Sequence, residues 1–409
     1  MNQFPRLANN KEAMKQENQR QVLSLIDRHP ISRSGLAKET GLTQSAISSI
    51  INNLISDNIV AEIGKYDDTS LGRKPTLLDI NASWGYIIGI SIDREGFDIG
   101  IVNVKGNVIG KATHLNYDDD VSNALDNITR ETESLIAKNQ INPDRIIGIG
   151  VIAPGPVDAV SGKILNPRAL DSWHYLNLRD ELQKRLPYQT YVQHNSNALA
   201  RAEYRMGLGS KYNSFALFVV NSGIGLGLSL NRQIYTGANG LGCEIGHTSI
   251  DINGRLCCCG NRGCLELYAS TAAILYEAGR VRKDITTWQD LIDKAYEGDT
   301  FCDSLLDIQA RYLAHSIINL NNLLELDAVI ITGMASYLGE LLLEKIRVHV
   351  CQSVMSKSTR SLVIENSSIR ENAMVIAAGA VVNDKLFNGN LYVNTLKNAT
   401  PIDNANQKG

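Results

Sequence analysis

The chain has 409 residues, of which 44% are hydrophobic and 20% charged, and a length of this kind predicts two or three domains. The apolar runs are too short for a membrane-spanning helix and the N-terminus lacks the apolar stretch of a secretory signal, so we expect a cytoplasmic protein without membrane insertion. The net charge of −3, with ten basic and nine acidic residues among the first eighty, excludes DNA affinity that rests on a broad basic field.

The first part of the chain has the pattern of a helix-turn-helix. A helix is predicted over residues 15–28, and a second, short helix follows whose N-terminal cap is Ser32 or Ser34. Gly41 is placed to make the tight turn that ends this short helix, and Thr43 to cap the next one. Two helices joined by a glycine turn are typical of DNA-binding heads.

The next helix is predicted from Gln44 to about Asp57 and is amphipathic. Its apolar stripe consists of Ile47, Ile50, Ile51, Leu54 and Ile55. Its polar face carries Gln44, Ser45, Ser48, Ser49 and Asn52. Short hydrogen-bonding side chains of this kind can reach base edges from a helix in the major groove, so we predict that these five residues bind DNA.

A β-hairpin wing is predicted after this helix, with strands over residues 59–64 and 76–80. The polar loop between the strands ends in a basic spot that contains Arg73 and Lys74, which we expect to contact phosphates or a minor groove. The alternative is a small helical adaptor with a polar surface, and the wing with its basic tip favours DNA binding over it.

The pattern changes after Trp84 to alternating strands and helices. Strands are predicted over residues 86–92, 97–104, 145–151, 215–220 and 328–333. Helices are predicted over 121–138 and through most of 270–325. Strands that end in glycine-rich turns and alternate with helices indicate an α/β fold, and the two blocks before and after residue 195 suggest two lobes with a cleft.

A longer motif in this region carries a family resemblance. Glu244-Ile245-Gly246-His247, followed by the cysteine-rich residues 257–266, resembles the ROK family, which combines sugar repressors and sugar kinases on an actin-like ATPase fold. The resemblance extends from the helix-turn-helix to residues 377–380 and implies an α/β, two-lobed, sugar-kinase-like body behind a winged helix-turn-helix domain. The expected domains are the head (1–81), a first lobe (82–195), a second lobe with a zinc knuckle (196–393) and a disordered tail (394–409).

Four cysteines lie close together, at 257, 258, 259 and 264. In a reducing compartment such a cluster favours a metal site over disulfides, and Gly260 and Gly263 allow the sharp turns that bring thiolates together. The resemblance implies that His247, Cys257, Cys259 and Cys264 bind a structural zinc ion, while Cys258 points away. The alternative is a set of free buried thiols.

The resemblance also implies a sugar pocket. Its residues would be Asn195, Glu244, His247 and Glu266, with His194 as a weaker candidate. Carboxylates, amides and imidazoles suit this role because each sugar hydroxyl can both donate and accept a hydrogen bond. Taken singly, each of these residues could equally be an ordinary surface residue; their order and spacing favour the pocket.

Two departures from the family's kinases predict that the sugar is not phosphorylated. Asn195 stands where those kinases have the catalytic Asp, and no carboxylate lies between Tyr188 and Arg201. His194 replaces the Asn that precedes that Asp. The first phosphate loop is also changed, because Ser91, Asp93, Arg94 and Glu95 stand where kinases carry Asp, two glycines and Thr. The second loop, residues 222–227, remains glycine-rich.

These observations predict a transcription repressor that binds operator DNA and a small-molecule sugar effector. A homodimer or a dimer of dimers would place two recognition helices on an inverted repeat. Relief of repression by the sugar is the favoured sign of the response, and the identity of the sugar stays open. The alternatives are an active sugar kinase, a repressor controlled by a protein partner such as a sugar-transport component, and a dimerisation scaffold without a ligand.

Overall fold

The computed structural model describes residues 10–65, 76–115, 120–167, 170–353 and 362–387, in which helices and strands alternate. The helices are α1 (Asn10–Arg28), α2 (Arg33–Thr40), α3 (Gln44–Ser56), α4 (Val121–Lys138), α5 (Leu178–Arg185), α6 (Asn195–Met206), α7 (Glu266–Ala269), α8 (Thr271–Val281), α9 (Trp288–Tyr296), α10 (Thr300–Leu324), α11 (Glu340–Ser353) and α12 (Ala373–Phe387). The strands are β1 (Ile31–Ser32), β2 (Val60–Lys65), β3 (Thr76–Ile80), β4 (Tyr86–Asp93), β5 (Gly96–Asn103), β6 (Val108–Leu115), β7 (Ile146–Ala153), β8 (Val157–Asp158), β9 (Lys163–Ile164), β10 (Thr190–His194), β11 (Phe215–Val220), β12 (Ile224–Leu230), β13 (Gln233–Tyr235), β14 (Ala328–Thr332) and β15 (Val363–Asn366). None of the described helices combines the length and the apolar composition that a membrane crossing requires.

The N-terminal head contains α1 to α3 and a small sheet with the strand order β1-β3-β2. The Ser32 hydroxyl accepts a hydrogen bond from the backbone N–H of Gly35 at 3.1 Å, which selects Ser32 over Ser34 as the cap of α2. Gly41 ends α2 in the left-handed conformation, with φ of 71°. Thr43 caps α3 by accepting from Ala46 N, so the predicted turn and cap are confirmed.

The head differs from the prediction in three details. Helix α1 begins earlier, at Asn10, and the two-residue strand β1 was not predicted because so short a strand has no hydrophobic period. On α3, Ile50 and Ile55 are only half-buried, since the stripe facing the core is narrower than the apolar pattern. The predicted wing tip, with Arg73 and Lys74, lies outside the described residues.

One hydrophobic cluster joins the head to the first sheet of the body. It combines Val22, Ile47 and Leu78 of the head with Ile87 of β4 and Phe387 of α12, all buried. The two parts therefore belong to one compact unit, made of residues 1–151, 177–192 and 378–409. A second unit contains residues 152–176 and 193–377. The domain boundaries at 81 and 195 stay a prediction.

Two five-stranded sheets share one strand order. The first sheet has the order β6-β5-β4-β7-β10 and the second the order β13-β12-β11-β14-β15. When the strands of each sheet are numbered along the chain, both orders read 3-2-1-4-5. In each sheet the first two strands form an antiparallel hairpin, and in the second sheet β14 and β15 continue parallel to β11. The predicted α/β fold is confirmed, whereas β6 was missed because its residues alternate between half-buried and exposed without an apolar run.

The core of the second unit lies between its sheet and the helices α8 to α11. Phe218 of β11 and Trp288 of α9 are completely buried there. Helices α8, α9 and α10 confirm the helical region predicted over residues 270–325. The end of β10 carries His194 and Asn195, and the turn that follows β11 contacts Glu266; all three are residues that the sequence predicts to bind a ligand.

Candidate functional site

Four predicted metal ligands converge in the second unit. The ligand atoms of His247, Cys257, Cys259 and Cys264 all lie within 4.8 Å of one another. The Sγ atoms of Cys259 and Cys264 are 3.6 Å apart, and Cys257 Sγ is 3.7 Å from His247 Nδ1. Zinc–sulfur bonds of about 2.3 Å in a tetrahedral site place two sulfurs about 3.8 Å apart, so the donor set fits a tetrahedral metal ion.

The backbone of this loop turns sharply at its two glycines. Gly260 and Gly263 have φ values of 90° and 66°, a region that favours glycine. A Cβ atom on Gly263 would lie 1.8 Å from the backbone oxygen of Asp251, so no other residue fits there. The close approach of these segments brings Cys264 under the turn that carries His247, whose carbonyl is 3.5 Å from Cys264 Sγ.

The fourth cysteine of the cluster lies apart from the ligand set. Cys258 is exposed, and its Sγ is 3.9 Å from Cys257 Sγ. His247 directs Nδ1 at the sulfurs, which leaves Nε2 on the other side of the ring. A metal ion held by the sulfurs and Nδ1 would therefore fix the direction in which Nε2 points.

Glu244, His247 and Glu266 lie together beside the hairpin turn between β11 and β12. Glu244 and His247 flank a single 3₁₀ turn, and Glu266 begins α7. The backbone N–H of Ile224 donates to Glu266 Oε2 at 3.2 Å. A Cβ atom on Gly223 would be only 2.7 Å from the same oxygen, so the glycine of this turn leaves space for the carboxylate.

His194 and Asn195 occupy the junction between β10 and α6. A Cβ atom on Gly155 would lie 2.6 Å from His194 Nε2 and 3.5 Å from Glu244 Oε1, so both side chains approach the same glycine backbone. Asn195 Oδ1 accepts a hydrogen bond from the backbone N–H of Ser196 at 2.7 Å. The structure thus brings His194 close to Glu244 and fixes the Asn195 amide beside it.

The electrostatics of the group agree with this convergence. Removal of water raises the pKa of the Glu244 carboxyl, the nearby Glu266 raises it further, and His247 opposes the rise. Burial lowers the pKa of the His194 ring to about 4, so the ring is neutral at pH 7. A neutral imidazole can donate one hydrogen bond and accept another, which suits a polyhydroxylated ligand.

The polar face of α3 is open to solvent. Gln44, Ser45, Ser49 and Asn52 are exposed and Ser48 is half-buried. Asn52 also contacts another helix, because its Oδ1 accepts a 3.0 Å hydrogen bond from Nη1 of Arg33 on α2. Arg33 was not among the predicted DNA-binding residues, since a lone arginine between two serines carries no sequence signal.

The residues predicted to correspond to the first phosphate loop of the kinases form the turn between β4 and β5. Asp93, Arg94 and Glu95 are exposed there, while Ser91 is buried within β4. Asp93 Oδ1 accepts only a local hydrogen bond from the N–H of Arg94. Two carboxylates at this turn would repel a phosphate group that approached it.

Comparisons with known proteins give relatives over nearly the whole chain. Residues 87–385 match the ROK family model. A xylose repressor of Bacillus spizizenii is 30% identical over 370 residues, which are 90% of this chain and 95% of that protein. The DNA-binding transcriptional dual regulator NagC of Escherichia coli K12 is 27% identical over 402 residues, 95% of this chain and 98% of that protein.

Solved structures give the same fold. A ROK family transcriptional regulator, described as a homologue of the E. coli MLC protein, has a TM-score of 0.80 at 24% identity and covers 94% of this chain and 99% of its own. A ROK family glucokinase of Streptomyces griseus, in complex with glucose and AMPPNP, has a TM-score of 0.63 at 23% identity and covers 72% of this chain and 98% of its own. The predicted combination of a sugar-kinase-like body with an N-terminal head is therefore confirmed as a fold.

Proposed function

This chain belongs to the ROK family, and from that premise we propose that it is a sugar-responsive, DNA-binding transcription repressor. The observation that carries the proposal is the helix-turn-helix head with its exposed polar face on α3. Similar repressors share nearly the whole chain, head included, whereas the similar glucokinase structure covers only 72% of it. Phosphorylation of a sugar by itself does not require such a head.

DNA binding would use α3 in the major groove. The residues offered to the bases and the backbone are Gln44, Ser45, Ser48, Ser49 and Asn52 on α3, with Arg73 and Lys74 at the wing tip. The chain would act as a homodimer or a dimer of dimers, because one head reaches only a few base pairs and paired heads can read an inverted repeat.

The sugar effector would bind in the second unit. Glu244, His247 and Glu266, with His194 and Asn195 beside them, offer donors and acceptors that are held in place by neighbouring backbone. The names of the similar repressors make xylose the first sugar to test and N-acetylglucosamine the second. The binding of a neutral monosaccharide needs no metal contact in this scheme.

The bound sugar would not be phosphorylated. Asn195 can hydrogen-bond a hydroxyl group, but an amide cannot take the proton that the hydroxyl must lose before it attacks ATP. The turn at Asp93 and Glu95 adds negative charge where a phosphate loop would need backbone N–H groups. The loss of the base and of the loop together support a sensor over an enzyme.

A structural zinc ion would hold the pocket in shape. His247, Cys257, Cys259 and Cys264 are the ligands, and four protein ligands leave no open position for catalysis. With Nδ1 on the metal, the Nε2 atom of His247 stays free to meet a sugar hydroxyl. The metal would therefore connect the folding of the loop to the affinity for sugar.

The response to sugar requires that the sugar bind one conformation of the repressor more tightly than another. The shift in DNA affinity cannot exceed that differential affinity. We propose that the sugar favours the conformation with lower operator affinity, so that its presence relieves repression.

Operator binding with and without sugar tests the proposal. The full chain first selects its operator from a random duplex library, and the affinity for that operator is then measured at one fixed salt concentration against a panel of pentoses, hexoses and amino sugars. We expect at least one sugar to weaken binding by about 5-fold to 150-fold, the usual range of allosteric coupling. Absence of operator selection, or indifference to every sugar together with no calorimetric heat, contradicts it.

A phosphorylation assay separates the sensor from an active kinase. The protein is incubated with ATP, magnesium and the sugar that binds, and release of ADP is followed with the Asn195→Asp variant alongside. We expect no turnover above the background rate in the native chain. Phosphoryl transfer at an ordinary enzymatic rate of about 1 per second or more contradicts the proposal.

A further inference from the structure

Arg33 connects three parts of the DNA-binding head. It is the first residue of α2, and its Nη1 donates to Asn52 Oδ1 on α3 at 3.0 Å. Its Nη2 lies 3.3 Å from Glu62 Oε1 on β2. One guanidinium therefore spans both helices of the helix-turn-helix and the first strand of the wing.

The guanidinium lies at the polar face of α3. Asn52 is exposed on the same face as Gln44, Ser45 and Ser49, and the Arg33 side chain keeps 32% of its accessible surface. Arginine has five N–H donors, and the two contacts engage two of them. Among the residues that the structure describes, no hydrogen bond from the other three donors is found, so they can meet a further acceptor that approaches this face.

The position of Arg33 is not explained by the stability of α2. The positive end of a helix dipole lies at its N-terminus and disfavours a cation there, and the first turn of α2 has no acidic residue to offset it. The end of the helix is already capped by Ser32. Exposed ion pairs such as Arg33–Glu62 add little to folding, so the fold gains little from an arginine here.

The strand β2 directs Glu62 toward Arg33. Glu62 pairs with the buried Leu78 across the sheet, which places its side chain on the face that covers the helices, at the edge of the sheet. The register shifts between Glu62 and Gly64, so an irregularity interrupts the pairing just beyond Glu62 before it resumes at Gly64 and Leu77. The Glu62 carboxylate thus contacts Nη2 of the guanidinium, while Asn52 accepts from Nη1.

We propose that Arg33 binds a backbone phosphate of DNA, and that Asn52 and Glu62 position its guanidinium for this contact. In a helix-turn-helix the first helix crosses the backbone while the second lies in the groove, and Arg33 begins that first helix. The planar guanidinium matches the oxygens of a phosphate and keeps its charge at any physiological pH. Asn52, one of the α3 residues offered to the DNA, then acts on it through Arg33 as a positioning residue. The inference rests on the proposed DNA-binding function.

The salt dependence of binding to random DNA tests the phosphate contact. A fluorescent duplex of about 30 base pairs with random sequence is titrated with the full chain between roughly 50 and 200 mM salt. Each phosphate contact contributes about 0.9 to the slope of log K against log salt, so Arg33→Gln is expected to reduce the slope by about one per bound head. Arg33→Lys is expected to keep the slope, with weaker binding. Arg185→Gln, which removes an ion-paired arginine outside the head, is the matched control and leaves the slope unchanged.

Two further variants test the positioning. Random DNA is insensitive to base readout, so weaker binding of Asn52→Ala to it excludes a base contact as the cause and leaves an effect through Arg33 or a direct phosphate contact. If Asn52 acts through Arg33, the double variant with Asn52→Ala and Arg33→Gln should bind random DNA as tightly as Arg33→Gln alone. Glu62→Gln keeps a side-chain oxygen that can accept from Arg33 Nη2 but removes a negative charge near the phosphates, so it is expected to tighten binding about 2-fold to 10-fold.

The outcomes separate the inference from the function on which it rests. The inference is overturned if Arg33→Gln leaves the salt slope unchanged. It is also overturned if Asn52→Ala lowers the affinity for random DNA equally in the native chain and in the Arg33→Gln variant. In both cases DNA binding by the native chain stands. Failure of the native chain to bind any duplex at the lowest salt overturns the proposed function and the inference with it. Circular dichroism and melting temperature of each variant exclude unfolding of the head as the cause.

Discussion

Two hairpin turns occupy the same place in the two sheets and have opposite properties. The turn between β4 and β5 exposes Asp93, Arg94 and Glu95, and the N–H of Arg94 donates a local hydrogen bond to Asp93 Oδ1. The turn between β11 and β12 is tied to three other segments. Asn221 Oδ1 accepts from Met334 N at 2.7 Å, the Asn221 carbonyl accepts from Thr271 N at 2.9 Å, and the N–H that follows the turn donates to Glu266.

The packing around the second turn gives a reason for its glycine that does not involve a nucleotide. A Cβ atom on Gly223 would meet Glu266, and one on Gly333 would lie 2.4 Å from Asn221 Oδ1. Glu266 occupies the space beside Gly223, and Asn221 occupies the space beside Gly333, which follows β14, so the packing requires both glycines without any phosphate. The glycine of the second turn is therefore no proof of nucleotide binding.

Removal of the metal is expected to have the largest effect on the stability and sugar binding of the second unit. Cys264→Ser removes one of four ligands beneath the turn that carries Glu244 and His247, and structural zinc sites contribute on the order of 10 kcal/mol of binding free energy. We expect loss of about one equivalent of zinc, a lower melting temperature and loss of sugar binding. Metal analysis and thermal unfolding measure this. Cys258→Ser, in the same loop, is the control and keeps its zinc; equal zinc loss in both variants contradicts the assignment.

Acid is expected to weaken the second unit through His194. The folded-state pKa of about 4 lies below the ordinary 6.5, so the stability that the neutral ring contributes is present above pH 6.5 and is lost as the pH falls toward 4. The loss amounts to about 3 kcal/mol at most. His194→Asn removes this titrating group. As the pH is lowered from 7 to 4, the melting temperature of the variant should therefore fall less than that of the native chain. A difference that does not change with pH contradicts the burial of this ring in its neutral form.

A single methyl group on the second turn is expected to weaken sugar binding. In Gly223→Ala the new Cβ atom, 2.7 Å from Glu266 Oε2, forces the carboxylate to rotate, which a flexible side chain can do without unfolding. We expect the dissociation constant for the sugar to rise about tenfold, or 1.4 kcal/mol. Calorimetry measures it.

The matched control is Gly279→Ala on α8, where a Cβ atom meets nothing within 4 Å. That variant should bind sugar like the native chain and gain about 0.5 to 1 kcal/mol of stability, because alanine loses less backbone entropy in a helix. Equal sugar affinity in both variants would place Glu266 outside the pocket.

The smallest expected effect comes from paired substitutions in the two turns. Asn221→Ala leaves the N–H of Met334 without its side-chain acceptor and should cost about 1 to 2 kcal/mol. Asp93→Ala removes an exposed, local bond and should change stability by less than about 0.5 kcal/mol. Thermal unfolding of the two variants compares them directly, and an equal cost would remove the distinction between the turns.

Prediction from sequence succeeded where the signal was local. The caps of α2 and α3, the turn at Gly41 and the helices from α8 to α10 follow from residues within a few positions of one another. The metal cluster was predictable for the same reason, since three of its four ligands lie within eight residues. The edge strand β6 was missed because half of its residues are exposed and its sequence has no continuous apolar run.

By itself, the sequence determined that no carboxylate lies between Tyr188 and Arg201, that three cysteines of a candidate metal site lie within eight residues, and that a polar helix face follows a glycine turn. Only the tertiary structure decided that Arg33 reaches Asn52 and Glu62, that His194 and Glu244 meet at Gly155, and that the β11–β12 turn donates a hydrogen bond to Glu266. The physical reason is separation along the chain: spacing and capping act over a few residues, whereas these contacts join residues 19 to 89 positions apart, and only the packing of sheets and helices brings them together.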